Sequence, residues 1–250
     1  MSSAIGDLTT LQLVYAASVL MAASYVRGYS GFGFSAVLVA GLSFVMDPVE
    51  AVPLAFLFEV FASVVQGRSV WADVRWKDCS LLLVAAFVGN PIGGVLLTEV
   101  DQALVRGATL FTLLFLTVAL LRERASQFDP PTRTIFVVGL VAGIVNGATA
   151  MAGLVIVLAM SFTTIRPAAM RATLIVYFFV SDIAALVALG ARDELTQTLF
   201  SRGLLGIPIL TLGIFVGSKA FRRASLDSFR RATLSLLLGI SIVGLIRLVI

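Results

Sequence analysis

Apolar runs fall at about 11–26, 32–46, 51–66, 79–98, 103–121, 135–146, 149–165, 172–190, 203–219 and 232–250, parted by short polar or charged stretches. A helix that crosses a ~30 Å hydrocarbon core needs about 20 apolar residues. Several of these runs are shorter. The most informative stretch is 134–165, "TIFVVGLVAGIVNGATAMAGLVIVLAMSFTTI", with 32 residues and no charge. A single straight helix of that length would measure about 48 Å, well beyond the core. Divided at 146–150, it would leave arms of about 12 and 15 residues, too short to cross comfortably. Two short helices meeting at a polar tip inside the membrane fit better. The stretch "RGYSGFGFSAVL", 27–38, has the same form, with a small polar tip at 28–33 between two apolar runs.

Composition sharpens this picture. Of the 250 residues, 59% are hydrophobic and 13% charged, whereas a soluble domain is about a quarter charged. Mean hydropathy is +1.05. The expectation is an all-α integral membrane protein with the bilayer as its surroundings. The opening "MSSAIGDLTT" lacks a basic n-region, and no small-residue cleavage site follows the first run, so no signal peptide is expected. Cys79 is the single cysteine, which excludes an internal disulfide. Histidine is absent, so the commonest metal ligand and the easiest proton carrier are both missing. No metal and no cofactor are expected. The net charge of +4 fits loops on a cytoplasmic face rather than a nucleic-acid partner.

The two tipped stretches belong to an internal duplication. Gly31 lies over Gly147 at an offset of 116, and later the offset becomes 124. There "DQALVRGATLFTLLF" (101–115) lies over "SLDSFRRATLSLLLG" (225–239) with six identities, and "GNPIG" (89–93) lies over "GIFVG" (213–217). The G-x-x-x-G spacing lets helix backbones approach closely. Five segments per half is an odd number, so the second half should enter the membrane upside down. The loops agree. Arg68, Arg75 and Lys77 follow segment 3, but the counterpart 191–202 is neutral. Glu99 and Asp101 follow segment 4, where the counterpart has Lys219, Arg222 and Arg223. Asp47 and Glu50 follow segment 2, where the counterpart has Arg166 and Arg171. Loops 67–78, 122–134, 166–171 and 219–231 are then cytoplasmic and both termini lie outside. The predicted organisation is repeat 1 over 1–121 (hairpin 8–46, helices 49–66, 79–98 and 102–121) and a cytoplasmic linker at 122–134. Repeat 2 covers 135–250 (hairpin 135–165, helices 168–190, 203–219 and 232–250). Inverted-topology repeats with broken helices at matching places are the architecture of many secondary transporters, with the substrate at the midplane.

The tips supply the candidate binding residues: Arg27, Tyr29, Ser30, Gly31 and Gly33 from the first, and Asn146, Gly147 and Thr149 from the second, with Ser35 beside them. Helix N-termini at such tips present free N–H groups and a positive dipole end, which favours an anion. Arg27 lies deep if the hairpin is re-entrant, and then needs an anionic partner; at an interface it would merely snorkel. Arg171 opens segment 8 and reads either as a further substrate ligand or as an anchor to the cytoplasmic face. Arg106 and Arg230 read as anchors. Glu59 and Asp182 fall mid-way along segments 3 and 8. A carboxylate at the bilayer centre costs roughly 2.5–3.5 kcal/mol on insertion scales, so both are candidates for exchanging protons. The alternative is a structural role, such as pairing with Arg27. At an offset of 120, Glu59 lies over Phe179, three positions from Asp182. Pro91 and Pro208 interrupt segments 4 and 9, as static kinks or as a gate.

The glycine-rich first hairpin, its second copy near the middle of the chain and the Ala-Thr-Leu starts of later segments resemble the TauE/SafE sulfite exporter family. The likeness extends over essentially the whole chain. Family members carry a run of adjacent glycines in the first hairpin; here Phe32 and Phe34 interrupt it, and 146–149 reads Asn-Gly-Ala-Thr. The resemblance implies a multi-pass protein of the inner cell membrane that exports sulfite or organosulfonates such as sulfoacetate. A small anionic substrate, and protons as a coupling ion, are the expected partners; monomer and homodimer both stay open. An anion channel, or a transporter of another small carboxylate or oxyanion, is the alternative. A membrane-embedded enzyme finds no support, since no histidine, cysteine pair or nucleophile elbow is present.

Overall fold

The two tipped stretches are each a long helix, a break and a short helix. In the computed structural model, residues 9–67, 70–101, 130–161, 163 and 165–221 are described, with scattered helical positions in 103–118 and at 238 and 242. The expected segments 102–121 and 232–250, the linker as far as 129, and Arg68, Arg106 and Arg230 lie wholly or largely outside the described residues. Among the described residues, eight α-helices have defined bounds, in chain order: α1 (Thr10–Ser30), α2 (Phe34–Leu42), α3 (Pro48–Gly67), α4 (Trp76–Glu99), α5 (Thr132–Thr149), α6 (Ala152–Ser161), α7 (Pro167–Gly190) and α8 (Gln197–Phe221). A single 3-10 turn, Trp71–Asp73, precedes α4. Among these helices α3, α4, α5, α7 and α8 are long and apolar enough to cross a membrane.

The breaks fall within or beside the predicted tips, but they divide the hairpins unevenly. The first hairpin has arms of 21 and 9 residues. The second has arms of 18 and 10 residues, where arms of about equal length are expected from the tip at 146–150. Asn146, Gly147 and Thr149 therefore remain helical, and the chain turns only at Ala150. The local reason is the same in both hairpins. Gly31 (φ 78°) ends α1 and Ala150 (φ 59°) ends α5, each in the left-handed conformation. The N–H of Gly31 closes on the carbonyl of Arg27 at 2.8 Å, and that of Ala150 on the carbonyl of Asn146 at 2.7 Å. Gly33 (φ 81°) then opens α2. Glycine takes these angles without the steric penalty that other residues meet.

Two tight helix pairs dominate the packing. α5 lies on α4, and α1 lies on α8. A Cβ on Gly93 would collide with the carbonyl oxygen of Ile144, and one on Gly217 with that of Tyr25. Gly89 and Gly213 stand equally close to α5 and α1 respectively. The G-x-x-x-G pairs thus act as backbone contacts between helices. The two crossings use matching positions: Tyr25 and Ile144 are 119 residues apart, as are the turn residues Gly31 and Ala150, and the first residues of α3 and α7. In the hairpins this spacing replaces the expected 116. α3 and α7 pack on each other between the two pairs. They carry the buried acids into the middle of the bundle.

Candidate functional site

Every side chain at the centre is placed by one of the two breaks or by the α3–α7 crossing. Arg27 sits on the last turn of α1 and is 0% exposed. Its Nη2 lies 3.2 Å from Glu59 Oε2 and donates to Ser63 Oγ at 2.9 Å. Its Nη1 donates to the carbonyl of Gly31. The guanidinium carbon stands 4.8 Å from the centre of the Phe178 ring, a cation–π arrangement that covers its other face. A desolvated arginine is thereby held by one carboxylate, one hydroxyl, one carbonyl and one ring. Glu59 and Asp182 are each 1% exposed. Glu59 also accepts from the Ser35 hydroxyl at 2.9 Å. Asp182 accepts from Asn146 Nδ2 at 2.8 Å. At the neighbouring residue, Asn90 Nδ2 donates to the carbonyl and hydroxyl of Ser181 at 3.1 and 2.9 Å, tying α4 to α7.

The two breaks meet around a small pocket that encloses about 180 Å³ of empty space, part of it open to the outside. Gly33 and Ser35 line it from the first hairpin, Ala150, Met151 and Gly153 from the second, and Glu59 and Phe178 from the crossing helices. The first turns of α2 and α6 both open onto it. A helix start leaves its first N–H groups without intrahelical partners, so the cavity is faced by two sets of backbone donors as well as by a carboxylate.

The expected site residues divide into three groups. Arg27, Gly33, Glu59, Asn146 and Asp182 belong to this cluster or its walls. Gly31, Ser30 and Arg171 shape the first turn instead. Ser30 donates to the carbonyls of Val26 and Phe32 at 2.8 and 2.6 Å, Arg171 Nη2 donates to the carbonyl of Gly28 at 3.2 Å, and the Arg171 side chain fills the space beside Gly31. Tyr29, Gly147 and Thr149 point elsewhere. The Tyr29 backbone packs on Gly217 and its ring lies 6.3 Å from that of Tyr25. Gly147 packs on the backbone of Asn90 and Gly94, and Thr149 donates to the Val145 carbonyl at 2.7 Å within its own helix. Gly147 lines a second, larger cavity of about 430 Å³ with Asn90, Pro91 and Arg192. The residues that sequence reasoning passed over are Ser63, Phe178, Ala150 and Met151. Ser63 carried one usable signal: it lies one helical turn beyond Glu59 on the same face. With the 119-residue spacing, Ser63 matches Asp182 and Arg27 matches Asn146. The contacts Arg27–Ser63 and Asn146–Asp182 are therefore equivalent in place and different in charge.

The chain is 28% identical over 192 residues to the probable inner membrane transporter protein TsaS of Comamonas testosteroni, a stretch that covers 74% of this chain and 79% of that protein. No solved structure matches. The family model of the sulfite exporter TauE/SafE matches residues 15–244, a span that holds both breaks, Arg27 and both buried acids. The chain accordingly belongs to the sulfite exporter TauE/SafE family.

Proposed function

We propose that this membrane transporter exports a small organosulfur anion, sulfite or an organosulfonate such as sulfoacetate, across the inner membrane. The substrate sits between the two hairpin tips. One observation carries the reading: residues of both breaks line the same cavity, beside an arginine sealed from solvent. Backbone donors and a desolvated guanidinium suit a compact oxyanion. The family membership and the name of the Comamonas relative support the substrate class and the inner-membrane location.

The mechanism is alternating access of two inverted repeats about this site. The matching α1–α8 and α5–α4 crossings, and the sign reversals between corresponding loops, support it. Glu59, Asp182 or both exchange a proton during the cycle, since they are the carboxylates buried at the α3–α7 crossing. Purified protein in liposomes, loaded with sulfoacetate and given an outward or inward pH gradient, tests this. Saturable efflux that responds to the gradient is the expected result. Glu59→Gln or Asp182→Asn should abolish the response while the variants still fold. Flux that never saturates would identify an anion channel. Wild-type pH dependence in both neutralised variants would make the acids structural.

A further inference from the structure

The Arg27–Glu59 pair occupies the place an incoming anion would take. An oxyanion seeks a helix N-terminus, a hydroxyl and a guanidinium. Glu59 meets these together: it accepts from the hydroxyl of Ser35, in the first turn of α2, at 2.9 Å and pairs with Arg27 at 3.2 Å. The second tip is built differently. The position that matches Glu59 at the 119-residue spacing is Phe178, and α6 opens onto the cavity beside this ring. Asp182 lies one turn further along α7, where Asn146 holds it. One tip thus carries its anion built in, and the other opens the start of α6 onto the cavity with no acid at the matching position.

Building on the reading that the tips hold the substrate, we infer that Glu59 is a resident stand-in for the substrate's anionic head group. The transported anion takes over Arg27 and the first turn of α2 only when a proton has neutralised Glu59. Two negative groups a few ångströms apart at a buried site repel strongly, and the small pocket between the tips leaves no room to separate them. In the empty site Arg27 balances Glu59. In the loaded site Arg27 balances a sulfonate, and the proton sits on Glu59. The charge of the cluster is unchanged, so one proton and one monovalent anion enter together. The groups facing Glu59 are Arg27 from α1 and Ser35 from α2, with Asp182 of α7 close enough to act on it electrostatically. Asp182 keeps its Asn146 partner in both states.

Methanesulfonate is a suitable probe, because it stays ionised and adds no titration of its own. Its binding to the purified full-length protein is measured by calorimetry in two buffers of different ionisation heat. The wild type should take up close to one proton per ligand at neutral pH. Its affinity should fall about tenfold for each pH unit raised. Glu59→Gln should lose this uptake, bind equally across the range, and exceed the wild type by about tenfold or more at about pH 8. Wild-type binding without proton uptake overturns the stand-in role, and so does a folded Glu59→Gln that binds more weakly at every pH. The proton count needs only the wild type, so it decides the matter even where a variant fails to fold. If no sulfonate binds the wild type at all, the tip-site reading falls with it.

Discussion

At the scale of single residues, Arg27 and Glu59 were conspicuous in the sequence because charge inside an apolar run has to be accounted for. Their pairing at 3.2 Å makes them interdependent. Removing one partner of a buried pair typically costs about 3–5 kcal/mol, because the other charge is stranded. Arg27→Met should therefore lower the unfolding midpoint in detergent sharply, and Arg27→Met combined with Glu59→Gln should lose less than the sum of the single changes. Additive losses would show that the two residues do not act together. The turn residues give a prediction of opposite signs. Ala150 holds φ 59° with a side chain, a strain of about 1–2 kcal/mol. Ala150→Gly should be neutral or stabilising in a thermal melt, whereas Gly31→Ala should destabilise, since it adds the same strain and a collision with Arg171. Phe178 was invisible beforehand, and Ser63 showed only by its place one turn beyond Glu59, for a plain reason: a serine or a phenylalanine is ordinary in a membrane helix, and only the tertiary packing turns them toward Arg27.

At the scale of elements, the positions of the breaks were legible and the lengths of the arms were not. Glycine and polar residues mark where a membrane helix is weak. Whether it ends there depends on what packs against it. Asn146 and Gly147 read as a tip, yet α5 continues through them because α4 lies against its backbone at Gly143 and Gly147. The glycines of α4 can be told apart by experiment. A Cβ at Gly93 would strike the α5 backbone, while one at Gly94 would find only the Leu189 side chain, 4.0 Å away. Gly93→Ala should separate the α4–α5 pair and depress stability strongly. Gly94→Ala should stay within about 0.5 kcal/mol of the parent. Equal effects of the two substitutions would refute the assigned crossing.

At the scale of the whole molecule, the charge pattern orients the chain. α7 runs 24 residues from Pro167 to Gly190, so its two ends should face opposite compartments. In a Cys79→Ser background, a cysteine at Lys77 should react with an impermeant reagent only from the cytoplasmic side, and one at Glu194 only from outside. Reaction of both from the same side would sink the proposed orientation. Membrane residence, the helical class, the two breaks and the buried charges all followed from the sequence by itself. Each depends on residue type and spacing along one segment: apolar length, glycine, and charge within an apolar run. Tertiary structure alone decided that Arg27 and Glu59 pair, that Asn146 holds Asp182, and that Gly147 packs while Gly33 faces the cavity. Those facts depend on how helices far apart in the chain cross. The crossings are set by which small residues let two backbones touch, a choice that no single segment specifies.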